Sequence, residues 1–324
     1  AVFDALNSIV PIDRESFFAK VAKKGDPYEE ITDRIETPKD EAITALGLPG
    51  VSLYRQKWRF YPGGELASRA IGFVSYKKDV LTGNNGVEAY YDDVLARAGA
   101  NAYVNFFAEI FANVKSTVFK NTASTGDIVT TIEPTVQSQL ESTIGRIHST
   151  WGSDLVGGII MDPHTGSIVA MAGVPTFDLN EYGAVKDPSV YNNPFAQNRY
   201  EMGSIVKPLV MAGALDVGVV TPTTSYNDKG FVTIDGKTLN NFDKKGRGVN
   251  VTMQRVLDES LNTGMIFVQQ KMGKDTFKDY LVNKYKLGEK TGIDLPGEVN
   301  GAVGSLKDNN DINYAAASFG QGIA

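Results

Sequence analysis

The sequence predicts an α+β fold in two parts, and three observations carry that reading. From Asp127 onward short β-rich apolar runs come first and helical runs follow, an order that implies a sheet covered by helices. Up to about residue 125 the chain is instead charged and broken by turn signals, including Pro49-Gly50, Pro62-Gly63-Gly64 and Asn84-Asn85-Gly86. Finally, 324 residues of which 42% are hydrophobic suffice for two cores. The boundary is placed near 125, giving domains 1–125 and 126–324.

In the first part, Ser16 to Lys24 and Lys39 to Leu46 read as short helices, Val51 to Tyr61 alternates like a strand, and Val87 to Leu95 is an amphipathic helix. In the second, Ile128 to Ile132 reads as a strand, and Pro134 opens a helix with apolar positions Val136, Leu140, Ile144 and Ile147. Leu155 to Met161 and Ser167 to Ala172 flank the turn Asp162-Pro-His-Thr-Gly166, a hairpin. A proline-bearing loop from Gly173 to Arg199 leads to a helix that begins around Ser204 and ends near Gly218. Phe231 to Ile234 and Lys237 to Leu239 flank Asp235-Gly236, a second hairpin. Val251 to Leu261 and Gly264 to Met272 read as helices separated by Asn262-Thr263.

Composition excludes several function classes. Net charge is −6 with no basic run, which argues against a nucleic-acid surface. With no cysteine there is no disulfide or thiolate metal site, and His148 and His164 lack companions at metal-ligand spacing, so no cofactor is implied. No run of 18 apolar residues occurs, and the first residues lack the pattern of a signal peptide.

Chemistry concentrates in Tyr200-Glu-Met-Gly-Ser-Ile-Val-Lys-Pro208. At helical pitch Ser204 and Lys207 share a face, so the lysine amine can reach the serine hydroxyl and, when neutral, take its proton. Apolar Ile205, Val206, Leu209 and Val210 would desolvate the amine and lower its pKa. The same spacing recurs at Ser75 and Lys78, so spacing alone is weak, and Ser204 as a plain helix cap beside a solvated lysine is the alternative. Farther on, Glu259-Ser260-Leu-Asn262-Thr-Gly264 interrupts two helical runs and projects Ser260 and Asn262 together. A hydroxyl there can pass a proton to a leaving amine, and an amide can both donate to and accept from a peptide. Helix capping is again the alternative, because Ser-x-Asn also occurs at Ser225 to Asn227.

Ser204-Ile-Val-Lys207 followed by Ser260-Leu-Asn262 resembles the first two active-site motifs of penicillin-binding proteins and serine β-lactamases. The surrounding sequence resembles the class B penicillin-binding proteins: Gly157 to Met171, Pro175 to Asn180, Asn241-Phe-Asp243, Gly292 to Glu298 and Phe319-Gly-Gln-Gly322 downstream, with Arg59 to Pro62, Gly72-Phe-Val74 and Gly86-Val-Glu88 upstream. Leu261 replaces the polar middle residue usual in the second motif. Lys290-Thr-Gly292 matches the letters of the third motif but reads as a turn, whereas the family carries that motif on a strand after Phe-Gly-Gln-Gly.

The resemblance implies a transpeptidase domain of β-lactamase-like fold behind an elongated, non-catalytic N-terminal pedestal. It also implies a peptidoglycan D,D-transpeptidase working through a serine acyl-enzyme, with Ser204 as nucleophile, Lys207 as base, Ser260 as proton relay and Asn262 orienting the substrate. Stem peptides and β-lactams would be its ligands, and a glycosyltransferase with other elongation or division proteins its partners through the pedestal. Location would be the extracytoplasmic face of the cytoplasmic membrane, held by an anchor these residues do not include, and C-terminal strands bearing the third motif are expected beyond Ala324. A β-lactamase or penicillin sensor, and a non-catalytic scaffold of the wall machinery, are the competing readings.

Overall fold

The computed structural model describes residues 1–25, 28–54, 58–77, 80–95 and 126–324. Described residues up to Phe60 form one compact unit and those from Tyr61 onward a second.

In the first unit, helices α1 (Val2–Asn7), α2 (Arg14–Val21) and α3 (Lys39–Ala45) bury Phe3, Leu6, Phe17 and Ile43 around Val10. Asp13 caps α2 by accepting a 2.7 Å hydrogen bond from Ser16 N, which starts the helix at Arg14, two residues before the expected Ser16. The strand expected over Val51 to Tyr61 is not formed at its described positions. Leu53, Tyr54, Trp58 and Phe60 are exposed there, so the alternation marks no buried face.

The second unit opens with α4 (Ser68–Ile71), the hairpin β1 (Val74–Lys77) and β2 (Val80–Gly83), then α5 (Gly86–Tyr90) and α6 (Asp92–Leu95) in place of one continuous helix. Gly72 and Gly86 interlock: a Cβ on Gly72 would lie 1.7 Å from Asn85 O, and one on Gly86 2.5 Å from Gly72 N. Only glycine permits two backbones so close. Buried Arg69 donates to Pro175 O and Asn192 O, tying this segment to the later loop, and Phe73 stacks on Tyr182 with centroids 4.4 Å apart.

Helix α7 (Pro134–Trp151) begins where Pro134 was expected to start it, with the Glu133 side chain accepting from Val136 N. It packs on the hairpin β3 (Val156–Met161) and β4 (Ile168–Val174), which is antiparallel with Ile159 opposite Met171. Gln137, fully buried, accepts from Met171 N at 2.8 Å and donates to Met171 O at 2.9 Å, taking the hydrogen bonds that a neighbouring strand would make. Ile128 to Ile132 is not a strand. It meets the β4 edge through Thr131 Oγ1 to Ile168 O, followed by Glu133 N to Val169 O, and side chains of α7 then occupy that edge. Among the described residues β3 pairs only with β4, and Ile159, Ile160 and Met161 are exposed.

Beyond the short helix α8 (Pro194–Gln197), the main core is helical. Helix α9 (Lys207–Asp216) lies against α11 (Asn262–Met272), burying Val210, Ala214, Met265, Ile266 and Val268 with Phe277 of α12 (Lys274–Lys278) and Ala315 of α13 (Asp311–Ala317). A strand region sits beside α11: β5 (Ser225–Asp228) pairs with β8 (Gly248–Thr252), and between them in sequence comes the expected hairpin, β6 (Phe231–Ile234) with β7 (Lys237–Asn240). The expected helix from Val251 to Leu261 is displaced: β8 runs to Thr252, whose hydroxyl caps the short α10 (Met253–Asp258). The chain then turns at Glu259 to Leu261 and α11 starts at Asn262, so the break falls before Asn262 and not at Asn262-Thr263.

Candidate active site

Ser204 lies in a 3₁₀ turn, Gly203 to Val206, that runs straight into α9 at Lys207. In a 3₁₀ turn residues three apart eclipse, which lines Ser204 up with Lys207 more closely than α-helical pitch would. Gly203 takes φ +57° and donates from its N–H to Gly320 O at 3.1 Å, while Gly322 N donates to the Glu201 carboxylate at 2.8 Å. The Phe319 to Gly322 segment therefore packs backbone-to-backbone against the serine turn. Ser204 is exposed, and among the described residues its hydroxyl and its N–H make no hydrogen bond.

Lys207 is the opposite case. Only 2% exposed, its Nζ donates to Ser260 O at 2.6 Å, Asn262 Oδ1 at 2.7 Å and Ser260 Oγ at 3.0 Å. Burial pushes its pKa down to about 8. Three acceptors match the three protons of an ammonium. A neutral amine would keep its two protons on Ser260 O and Asn262 Oδ1, both pure acceptors, and turn its lone pair to a hydroxyl. The solvated-lysine alternative is thereby excluded. Lys207, Ser260 and Asn262 come together, and Ser204 stands one eclipsed turn away without a hydrogen bond to the amine.

The turn that supplies these acceptors is held in an unusual backbone shape. Ser260 has φ +53°, a left-handed conformation that a serine adopts only when its surroundings hold it there. Glu259 beside it is bound by Arg247 Nε at 2.7 Å and Arg255 Nε at 2.5 Å, and the Arg247 hydrogen bond is the first cause holding its carboxyl below the usual range. Asn262, at the first position of α11, donates from Nδ2 to Asn240 O at 2.9 Å, which fixes Oδ1 toward Lys207. Leu261, the unexpected middle residue, is 1% exposed in the main core, so it anchors the turn that presents its two polar neighbours.

Lys290-Thr291-Gly292 lies outside any strand, in a loop where Glu298 accepts from Thr291 N, Thr291 Oγ1 and Gly292 N at 2.6, 2.7 and 3.1 Å. Lys78, partner of Ser75 in the second Ser-x-x-Lys copy, lies outside the described residues. His164 N donates to Asp162 in the exposed β3–β4 turn. Among the described residues no group of three histidine or acidic side chains could hold a metal ion. Sequence reasoning missed Asp228 and Thr263, and it found Asn241 only as part of a motif. Asp228 sits in Asn-Asp-Lys-Gly, which reads as an ordinary turn, and only the folded chain brings it to α11.

Residues 156–324 match the penicillin-binding protein transpeptidase domain family, and residues 1–131 the penicillin-binding protein dimerisation domain. Stage V sporulation protein D of Bacillus subtilis is 30% identical over 98% of this chain and 49% of its own length. Peptidoglycan D,D-transpeptidase MrdA of Escherichia coli K12 is 28% identical over 92% of this chain and 51% of its own. The chain thus spans about half the length of these relatives. Penicillin-binding protein 3 of Mycobacterium tuberculosis, in its apo form, superposes with a TM-score of 0.70 at 25% identity, covering 83% of this chain and 56% of that one; it has also been solved with aztreonam and with ampicillin. With both domain matches in order along the sequence, the chain belongs to the penicillin-binding proteins, in the class B arrangement of a dimerisation domain followed by a transpeptidase domain.

Proposed function

We propose that this protein is a peptidoglycan D,D-transpeptidase whose nucleophile is Ser204 and whose general base is Lys207. The observation that supports it most is the buried amine with a pKa near 8, held by Ser260 and Asn262 one eclipsed turn from an unengaged serine hydroxyl. Ser204 Oγ attacks the carbonyl of the penultimate D-alanine of a stem peptide as Lys207 takes its proton. The C–N bond then breaks, and the proton passes by way of Ser260 to the departing D-alanine amine, leaving a Ser204 ester. An amine from a second stem attacks that ester, returns its proton along the same path and completes the cross-link.

The free Ser204 N–H is one donor for the oxyanion, worth about 3 kcal/mol of transition-state stabilisation by analogy with donors of this kind. Asn262 orients the donor peptide. Residues 1–125 serve as the non-catalytic pedestal and meet the glycosyltransferase and other wall-synthesis proteins, although the described residues from Tyr61 share a compact unit with the catalytic part. Reaction takes place on the extracytoplasmic face of the cytoplasmic membrane; no described helix is long and apolar enough to cross one.

A fluorescent penicillin tests the assignment. It should label the protein at its natural full length stoichiometrically and leave Ser204→Ala unlabelled. Equal labelling of both would overturn the nucleophile, steady turnover of a chromogenic cephalosporin would favour a β-lactamase, and no labelling of the wild type would favour a scaffold.

A further inference from the structure

We infer that Asp228 and Asn241 are positioning residues for this site, acting through the start of α11 to hold Asn262 where the lysine needs it; the inference rests on the reading of Lys207 as general base. Helix α11 has Leu261 at its N-cap and no side-chain cap of its own. Its orphan N–H at Thr263 is instead satisfied from another element: Asn241 Oδ1 accepts it at 3.1 Å. An amide can present either end, and what decides here is the pair of acceptors at Nδ2: Asp228, 2% exposed, whose two oxygens receive it at 3.2 and 3.0 Å, and Lys245 O, which receives it at 3.1 Å. A carboxylate only accepts, so Asn241 must turn its NH2 to Asp228 and its oxygen to α11. The same carboxylate draws the Thr263 hydroxyl proton at 2.8 Å, leaving Tyr226 OH to donate to Thr263 Oγ1 at 3.0 Å, and it closes its shell with the N–H groups of Gly230 and Arg247.

The neighbouring residue completes the clamp. Asn240 O receives Asn262 Nδ2, so the last residue of β7 and the one after it grip consecutive residues of α11, one through a main-chain oxygen and one through a side-chain oxygen. Without the carboxylate, Asn241 keeps only Lys245 O at its Nδ2, so its hold on the α11 start loosens and the amide that faces Lys207 loses its register. Glu259, the acidic residue adjoining Ser260, is taken up by Arg247 and Arg255, and the three atoms that contact Lys207 Nζ are uncharged.

The test compares the acylation rate by a fluorescent penicillin across pH for full-length wild type, Asp228→Asn, and the swap Asp228→Asn with Asn241→Asp. Asp228→Asn should lower the second-order rate at least tenfold and move the rising limb of the pH profile upward, because water admitted beside the amine restores part of its ordinary basicity. The swap puts a pure acceptor opposite Thr263 N–H and a donor amide at 228, and should recover both rate and profile in part. A variant that only folds less well would lose labelled amount with an unmoved profile. An unmoved profile in Asp228→Asn, or a swap no better than the single variant in thermally intact protein, overturns the inference. Failure of wild type to label would instead overturn the underlying assignment.

Discussion

Lys207 carries the sharpest quantitative consequences. With a pKa near 8, about a tenth of its amines are neutral at pH 7, whereas at the ordinary 10.5 fewer than one in a thousand would be. Acylation of Ser204 should therefore climb with pH and level off with a midpoint near 8, and a rate flat from pH 6 to 9 would rule out a neutral lysine base. Lys207→Arg keeps a cation that cannot deprotonate, and should slow acylation by about 10²–10⁴-fold at pH 7. Stability follows the same group. The folded chain releases the lysine proton before the unfolded chain does, so between about pH 8 and 10.5 the unfolded state binds more protons and Lys207 makes stability rise with pH. Below that window, burying the ammonium costs about 3 kcal/mol. Chemical denaturation of wild type and Lys207→Met should show the wild type gaining on the variant from pH 8 to 10. A gap independent of pH would mean that the amine titrates alike in both states.

At the scale of elements, the serine turn depends on a backbone contact that a single methyl group would destroy. A Cβ at Gly320 would lie 2.1 Å from Gly203 O, and Gly320 has φ +79°, so Gly320→Ala meets both a clash and left-handed strain. The expected cost is about 1–3 kcal/mol. Because the clash lands on the residue before Ser204, acylation should also fall more than tenfold in protein that remains folded by circular dichroism; unchanged labelling kinetics would show the turn to be held by other means. The sequence makes the elements on either side legible to different degrees. The apolar run after Pro208 announces α9, and Ser204 is correctly placed at its entrance, although the 3₁₀ form is not announced. Val251 to Leu261 misleads because the apolar period changes within it, from two at Val251 and Met253 to three at Met253 and Val256. Thr252, the cap at the junction, is the signal that separates strand from helix.

Across the second unit, what escapes the sequence is pairing between distant residues. Ser260 and Asn262 could be read as chemistry because their types and spacing are local, but Asp228 finds α11 across 35 residues and Gln137 finds β4 across 34. Neither contact has a periodic signature. Gln137 even violates the pattern by being polar on a helix face otherwise read as Val136, Leu140, Ile144 and Ile147, and of those only Ile144 is fully buried while Ile147 is 41% exposed. The physical reason is that the β4 edge needs a donor and an acceptor more than it needs another apolar side chain. Gln137→Leu keeps the approximate volume but leaves Met171 N–H and C=O unpaired in a buried place, each worth about 1–3 kcal/mol. The urea midpoint should drop accordingly, and amide exchange at Met171 should accelerate, while the acylation rate per folded molecule stays near wild type, since Gln137 makes no hydrogen bond to Lys207, Ser260 or Asn262. Unchanged stability would mean that water or a shifted strand can take over the two bonds; a lost acylation rate in folded protein would mean that the β3–β4 hairpin is coupled to the lysine site.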